Sequence, residues 1–257
     1  MGELMQPVVI YPVTGLQEIR PGDDLAGLLV ASLDAAGLTL EPEDILVVTS
    51  KIVSKAEGRF ADLQDAVPGA EALRLAAITR KEPRLVELAL SEASGVVRAA
   101  PHVLILRHRL GHVMANAGID QSNLGPDGGG KVLLLPIDPD RSATTLRETI
   151  TTRTGVAPGV VISDSFGRPW RMGVVNVAIG ASGLEVLIDK RGERDRDGRI
   201  MEVTQIAVGD MIATAAGMVC GEGAEGVPAA LVRGYGEAQG DLPASALLRP
   251  VEQDLFQ

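Results

Sequence analysis

The sequence predicts an α+β fold, in which helices and strands do not alternate in a regular βαβ pattern. Runs rich in β-branched residues and runs with helical apolar spacing both occur along the 257 residues. Three strand candidates follow one another between Val160 and Ile188, which does not fit a simple doubly wound sheet. The predicted strands are Val8 to Val13, Ile45 to Val53, Val103 to Leu106, Lys131 to Ile137, Val160 to Ser163, Gly173 to Ile179, Glu185 to Ile188 and Ala229 to Arg233. The predicted helices are Asp24 to Ala36, Pro83 to Ala93, Arg141 to Thr152 and Val208 to Val219.

No repeat, low-complexity tract or Pro/Ser-rich linker divides the chain. We therefore expect residues 1–257 to form a single unit, with any second lobe woven from discontinuous segments. The charged segment Lys190 to Arg199, KRGERDRDGR, is predicted to be a solvated loop or hairpin turn.

Composition excludes several classes of protein. The 24 Lys and Arg against 34 Asp and Glu give a formal net charge of -10, which would repel a nucleic-acid backbone. Aromatic residues make up only 2%, so base-stacking platforms are not expected. A single cysteine, Cys220, excludes an intramolecular disulfide, and no apolar run is long enough for a signal peptide or membrane span. We expect a cytoplasmic protein.

Two tempting motifs are rejected. GPDGGGK, from Gly125 to Lys131, has P-loop spacing, but Val132 stands where a P-loop has Ser or Thr, and the loop precedes a strand. A Gly-rich turn into the strand is the preferred interpretation. His108 and His112 have the spacing of zinc ligands on a helix, but Gly111 and the missing general-base Glu favour a polar or substrate-facing loop.

SKIVSKAEGR places Lys51 and Lys55 four residues apart at the end of the strand predicted for Ile45 to Val53. Even spacing would point both ammonium groups from one strand face, where they could neutralise phosphate oxygens with help from the Ser50 hydroxyl. An exposed pair of lysines on an edge strand explains the same residues equally well.

ANAGIDQSN surrounds Asp120 and Asn123 with small residues. The Asp120 carboxylate is a hard donor suited to magnesium or manganese, and the Asn123 amide can hydrogen-bond a nucleotide. Taken alone, an Asp in such a segment is more often a turn residue than a metal ligand.

VISDSFGRPWR places Asp164 and Ser165 where an apolar strand ends, followed by Arg168 and Arg171. The first two residues can share a cation, and the arginines can bind a substrate phosphate or carboxylate. CGEGAEGVP adds the carboxylate of Glu222 in a Gly-rich segment, although a helix that ends at Gly221 as its left-handed cap explains the glycine as well.

The motifs together resemble, over nearly the whole chain, the coenzyme F-420:L-glutamate ligase family. They are YPVTGLQEI, SKIVSKAEGR, GHVMANAGIDQSN, ISDSFGRPWRMGVVNVAIGASGL, and GEGAEGVP followed by LVRG. The resemblance implies a family-specific α+β fold with more than one sheet, two interleaved lobes and an intertwined homodimer. It also implies GTP-driven addition of L-glutamate to the unglutamylated deazaflavin coenzyme, followed by a second, γ-linked glutamate.

The resemblance further implies site residues. For the nucleotide they are Pro12, Val13, Thr14, Gly15, Ser50, Lys51, Lys55, Asn123, Cys220, Gly221, Gly223, Ala224, Glu225, Gly226 and Val227. For a magnesium or manganese ion they are Asp120, Asp164, Ser165 and Glu222, and a potassium ion is a further expectation. Archaeal members commonly carry Gln where this chain has Glu222.

The expected mechanism is attack of an acceptor carboxylate on the γ-phosphate of GTP, then displacement of the acyl phosphate by the glutamate amine. Phosphoryl transfer depends on positioning and charge neutralisation, so no covalent nucleophile is assigned, and Cys220 is not one. Two alternatives stay open at this point: a non-catalytic deazaflavin-binding module and a metal-dependent nucleotide phosphohydrolase.

Overall fold

The computed structural model describes residues 7–125, 128–236 and 240–254. Its helices are α1 (Leu25–Ala35), α2 (Ser50–Ala56), α3 (Ala70–Thr79), α4 (Pro83–Ser91), α5 (Pro139–Thr154) and α6 (Val208–Cys220). Its strands are β1 (Val9–Val13), β2 (Ile45–Thr49), β3 (Phe60–Asp62), β4 (Ala93–Ala100), β5 (Val103–His108), β6 (Val113–Ala115), β7 (Lys131–Leu133), β8 (Gly159–Arg168), β9 (Arg171–Ser182), β10 (Ile188–Asp189), β11 (Gln205–Ile206) and β12 (Ala229–Arg233). The predicted α+β class is confirmed.

A five-stranded sheet forms the centre of the fold, in the order β1-β12-β2-β8-β9. Its pairs are antiparallel except β2 with β8, which run parallel from Ile45 opposite Gly159 to Thr49 opposite Ser163. The residues of β2 and β8 that pair with each other are almost wholly buried, as expected for strands covered on both faces. The ion pair between Arg233 at the end of β12 and Asp44 just before β2 fixes this corner, with Arg233 Nε 2.8 Å from Asp44 Oδ1.

Helices cover both faces of the central sheet. α1 and α5 pack on one face around Leu29, Leu46 and Ile150, and α6 packs on the other around Val161 and Ala213. α5 approaches β9 so closely that a Cβ at Gly180 would lie 2.3 Å from the Pro139 carbonyl oxygen. The absence of a side chain at Gly180 therefore allows the helix to dock on the sheet.

A smaller body carries its own apolar core. The three-stranded sheet β4-β5-β6 packs with α3 and α4 around residues such as Leu75, Val86 and Leu106. The β3-β7 pair also contributes to this core through Val132. The chain leaves the central sheet after α2 and returns to it at α5, so the smaller body is one long insertion between β2 and β8.

Most predicted elements are present, with shifted ends. Pro83 begins α4 with Glu82 as its cap, and α5 begins at Pro139 because Asp138 accepts a hydrogen bond from the Arg141 amide. The strand predicted for Lys131 to Ile137 is only three residues long, and that predicted for Glu185 to Ile188 reduces to the short β10. The sequence prediction missed α3 and β4.

The strand predicted for Ile45 to Val53 is wrong in its second half. Pairing with β8 ends at Thr49, and the chain enters α2 at the next residue. Lys51 and Lys55 therefore lie one helical turn apart and do not project from a strand face. A spacing of four residues places side chains on one face of either element, so the pattern could not separate the two.

The structure explains the two rejected motifs at those of their residues that it describes. His108 ends β5 and His112 precedes β6, so the pair is not helical, and both rings are buried where a polar or substrate-facing loop was expected. Lys131 begins β7, whereas Pro126 and Asp127 lie outside the described residues. The charged segment from Lys190 is an exposed turn between β10 and β11, as predicted.

Within the described ranges, no helix is both long and apolar enough to cross a membrane. The single unit, the two interleaved lobes and the homodimer stay predictions, because the structure contains one chain.

We expect the core of the central sheet to dominate stability. Leu231, fully buried on β12, should lose about 2–5 kcal/mol of unfolding free energy in Leu231→Ala, through lost burial and the cavity left behind. Leu73→Ala, the same change on the exposed side of α3, should stay within about 0.5 kcal/mol of wild type. Urea denaturation measures both, and equal losses would contradict this assignment of the core.

Candidate active site

A cavity of about 920 Å³ opens where the parallel pairing of β2 with β8 ends, at Thr49 and Ser163. β8 itself continues to Arg168, so Asp164 lies within the strand and not at its end, where the sequence analysis had placed it. The main segments that line it are residues 16–19, α2 with the end of β2, residues 114–125 with the Asp120 loop, the end of β7, the second half of β8 with part of β9, and the Gly-rich segment after α6. The carboxyl ends of parallel strands are where ligand sites form in many α/β sheets. The topology thus brings together residues far apart in the sequence.

The parallel register places Ser50 beside Asp164. Thr49 on β2 pairs with Ser163 on β8, so the next residue of each strand points into the same region. The Ser50 hydroxyl donates a hydrogen bond of 2.8 Å to Asp164 Oδ1 across 114 residues of sequence. Ser50 also begins α2, and this contact therefore joins the helix to the middle of β8.

Lys51 and Lys55 both hold the loop of Asp120 against α2. Lys51 Nζ lies 2.6 Å from Asp120 Oδ2 and donates to the Ser122 carbonyl oxygen at 2.9 Å. Lys55 Nζ pairs with the Glu18 carboxylate and donates to the Asn123 carbonyl oxygen at 2.8 Å. The Lys55 side chain is only 5% exposed, so its charge depends on these partners.

Asp120 is both a turn residue and an ionised carboxylate. Its Oδ1 accepts hydrogen bonds from the Ser122 amide and hydroxyl, each at 2.7 Å, which is the Asx turn considered from the sequence. Burial acts to raise the pKa of Asp120, but hydrogen bonds from Lys51 and Ser122 outweigh it and hold the pKa below its ordinary value. Asp120 is therefore a stable anion at neutral pH.

The pKa of Asp164 is shifted in the opposite direction. Burial in the middle of β8 raises the pKa of its carboxyl to about 6, helped by the negative charge of Asp120 and opposed by hydrogen bonds from Ser50 and the Ser165 amide. The positive charge near Asp164 is therefore not sufficient to stabilise its ionised form. A cation bound between Asp120 and Asp164 would supply it.

The Gly-rich segment completes the cavity wall. The Ser165 hydroxyl donates to Glu222 Oε2 at 2.6 Å, and the Asn123 amide donates to the Gly223 carbonyl oxygen at 3.0 Å. α6 ends at Gly221, whose φ of 72° places it among backbone conformations that favour glycine, although its ψ of 179° differs from the expected left-handed cap. Cys220 is buried, and burial raises its pKa to about 11, so the thiol is neutral at pH 7.

The donor set fits a hard divalent cation shared with a ligand. Among the described residues, no three His, Cys, Asp or Glu side chains come close enough to hold a metal alone. Magnesium, however, commonly takes one or two carboxylates and completes its shell with water and substrate phosphate. Asp120, Asp164 and the Ser165 hydroxyl offer such an all-oxygen set, and Asp120 would have to release Lys51 to join it.

Most residues implied by the family resemblance line this one cavity. They are Ser50, Lys51, Lys55, Asp120, Asn123, Asp164, Ser165, Cys220, Gly221, Glu222, Gly223, Ala224, Glu225, Gly226 and Val227. Pro12 and Val13 belong to β1, and the cavity lining begins only after Thr14 and Gly15, at Leu16. Arg168 and Arg171 flank the turn between β8 and β9, outside the cavity lining, where Arg168 donates to the Met172 carbonyl oxygen at 2.9 Å.

The sequence alone did not single out three further features of the cavity. Glu18 is one charged residue in a loop, and only the fold shows that it pairs with Lys55. Ser122, two residues after Asp120, could have been found from the usual spacing of an Asx turn. The third feature is the turn Asn116–Gly118, whose three residues all have positive φ.

We expect Asp164 to destabilise the fold when it is ionised. Its folded pKa of about 6 lies above the ordinary value of 3.8, so its stabilising contribution is present at low pH and lost as pH rises through about 6. Without divalent ions, Asp164→Asn should therefore raise the unfolding free energy near pH 7.5 by at most about 3 kcal/mol, with a smaller gain near pH 4.5. Urea denaturation in EDTA at both pH values measures this.

Asp34→Asn, on an exposed position of α1, is the matched control and should change stability little at either pH. A gain for Asp164→Asn that does not grow with pH would contradict the raised pKa.

Comparisons with known proteins identify the family. A family model described as F420-0:Gamma-glutamyl ligase matches residues 15–234. The chain is similar to the Coenzyme F420:L-glutamate ligase of Methanopyrus kandleri, with 45% identity over 96% of this chain and 97% of the relative. It is also similar to the protein of the same name from Methanothermobacter thermautotrophicus, with 43% identity over 97% of this chain and 99% of the relative. The chain belongs to the F420-0:Gamma-glutamyl ligase family.

Proposed function

We propose that this protein is a GTP-dependent ligase that joins L-glutamate to the unglutamylated deazaflavin coenzyme and then adds a second, γ-linked glutamate. The observation that carries the proposal is a single cavity in which two lysines meet two carboxylates, in a chain of this family. The relatives named above are described as ligases of coenzyme F420 and L-glutamate, which supports both the acceptor and the added amino acid. GTP follows from the family resemblance.

The lysines are suited to neutralise a polyphosphate. Among the described residues that line the cavity, Lys51 and Lys55 are the only lysines or arginines. In a protein with a formal net charge of -10, a polyanion is favoured only where such charges are concentrated. Incoming phosphate oxygens would replace the Asp120 carboxylate and the Ser122 carbonyl oxygen as partners of Lys51.

The proposed reaction has two steps. An oxygen of the acceptor carboxylate forms a bond to the γ-phosphorus of GTP as the bond to the bridging oxygen breaks, so that GDP leaves and an acyl phosphate remains. The glutamate amine, having lost a proton, then attacks the acyl carbon, the amide bond forms, and inorganic phosphate leaves. Neither step needs a covalent bond to the protein.

A magnesium or manganese ion held by Asp120, Asp164 and Ser165 would supply positive charge to the phosphate oxygens during transfer. Glu222 lies on the other side of Ser165, to which it is hydrogen-bonded, and we propose it as the fourth ligand. A potassium ion is a further proposal that follows from the resemblance alone. The neutral Cys220 thiol is not a nucleophile in this scheme.

Ligation is tested by mass spectrometry of the product after incubation of the protein with unglutamylated coenzyme, GTP, glutamate and manganese. We expect one discrete mass step for each glutamate added, with sustained turnover of GTP to GDP only when acceptor and glutamate are both present. Asp120→Ala and Asp164→Ala should each abolish the mass step. Full glutamylation by both variants would show that the metal centre is wrong.

The same assay separates the alternatives. Tight coenzyme binding without GDP release would indicate a binding module. GDP formation that is independent of acceptor and glutamate would indicate a nucleotide phosphohydrolase.

Lys51→Met tests the role of the cavity lysines. Loss of a charge-assisted hydrogen bond to phosphate should lower kcat/KM for GTP by about ten- to a hundredfold, measured as GDP release at saturating acceptor and glutamate. Lys81→Met removes the same charge between α3 and α4, away from the cavity, and should behave as wild type. Equal losses for the two variants would mean that overall charge, and not contact with phosphate, explains the effect.

A further inference from the structure

The ammonium group of Lys51 is surrounded by oxygen atoms. Its Nζ lies 2.6 Å from Asp120 Oδ2, 2.9 Å from the Ser122 carbonyl oxygen and 3.2 Å from the Ser122 hydroxyl oxygen. A lysine ammonium has three N–H donors, and these three oxygens match them in number. A carboxylate, a carbonyl and a hydroxyl are also the groups that a hard divalent cation binds. Lys51 therefore holds a position that suits a metal ion.

The ion pair of Lys51 with Asp120 can be reached from the cavity. The two side chains are 24% and 36% exposed, and both residues line the cavity. The lysine one turn further along α2 differs, because the Lys55 side chain is only 5% exposed and its partner Glu18 is not one of the proposed metal ligands. An incoming cation can therefore compete with Lys51 for Asp120 directly.

Neither a metal ion nor a phosphate alone satisfies the charges at this point. A metal ion on Asp120 and Asp164 would leave the Lys51 ammonium without its carboxylate and next to another cation. A phosphate that took Lys51 would leave the two carboxylates next to an anion without a cation between them. When both are present, the metal ion replaces Lys51 at the carboxylates and the phosphate receives Lys51.

We infer that Lys51 competes with the divalent ion for Asp120, and that it moves from Asp120 to a phosphate of the nucleotide when the ion binds. The exchange keeps the affinity for the metal low until a polyphosphate is present, so the metal and the nucleotide bind cooperatively. This inference rests on the proposed function and deepens it, because it gives Lys51 control of metal binding in addition to its contact with phosphate.

Lys51→Met tests the competition through Mn²⁺ binding without nucleotide. Loss of the ammonium frees Asp120 and should lower the dissociation constant of Mn²⁺ about tenfold, as for one charge-assisted contact removed from a competitor. Isothermal titration calorimetry on protein stripped of metal with EDTA and then dialysed measures this. Lys51→Gln should show the same gain, so the result does not depend on one variant, and melting temperatures check that both fold. Unchanged Mn²⁺ affinity in the two variants would overturn the inference.

Lys55→Met is the matched control, because it removes an ammonium from the same helix and the same cavity. Its partner is Glu18, so Asp120 keeps Lys51 and the Mn²⁺ affinity should stay within about twofold of wild type. A gain as large as that of Lys51→Met would mean that the net charge of the cavity, and not competition for Asp120, sets the metal affinity. That result would contradict the proposed exchange.

Saturating GDP separates exchange from simple repulsion between Lys51 and the ion. With Lys51 already on a phosphate, wild type and Lys51→Met should bind Mn²⁺ with equal affinity, after correction for the Mn²⁺–GDP complex measured in solution. A tenfold gain that persists with GDP would mean that Lys51 only repels the ion and does not move, and the inference would fail.

These binding measurements need no turnover, so they separate the inference from the proposed function. If the Mn²⁺ affinities change as expected while wild type shows no ligation, the exchange is supported and only the proposed function fails. If ligation proceeds but the Lys51 variants bind Mn²⁺ as wild type does, only the inference fails. Absence of Mn²⁺ binding in every variant and in wild type would overturn both.

Discussion

The parallel pairing of β2 with β8 is the constraint on which the site depends. Because Thr49 lies opposite Ser163, the chain delivers Ser50 and Asp164 to one point at the sheet edge, where they share a hydrogen bond. A shift of the β2–β8 register by one residue would turn the side chains of one strand to the other face of the sheet and separate Ser50 from Asp164. The smaller body is inserted between these strands, so its Asp120 loop returns to the same edge.

Both lysines of the cavity lining are paired with carboxylates of the same lining, and other carboxylates there have no lysine. Lys51 and Lys55 bind Asp120 and Glu18, and these ion pairs hold α2, the Asp120 loop and the segment of Glu18 together. Asp164 has only hydrogen bonds, and its pKa is raised accordingly. Asp120 and Glu18 are therefore already neutralised by lysines, whereas Asp164 is not. A ligand carrying both phosphates and a divalent cation can satisfy the lysines and Asp164 together, which a simple anion or a simple cation cannot.

The sequence predicted the fold class and the segments of the cavity, but the local geometry only in part. Lys51 and Lys55 were assigned to a strand because a spacing of four fits both a strand face and a helical turn, and only the end of β-pairing at Thr49 decides between them. Asp120 was ambiguous between turn and ligand, and it does form the turn. Glu18 carried no local signal, since its role comes from a contact across 37 residues. Interactions of this kind depend on topology, which short-range patterns do not contain.

Features that lower the stability of the fold are concentrated around the cavity. An underneutralised Asp164, an unpaired Asn116 acceptor and a left-handed Ala117 each oppose stability, whereas the central sheet is covered by apolar residues on both faces. A chain selected for stability alone would have little reason to keep an ionisable group at position 164 or a β-carbon in a left-handed turn. A cation bound at the cavity wall would remove the cost at Asp164, whereas Ala117 lies behind that wall in the core of the smaller body.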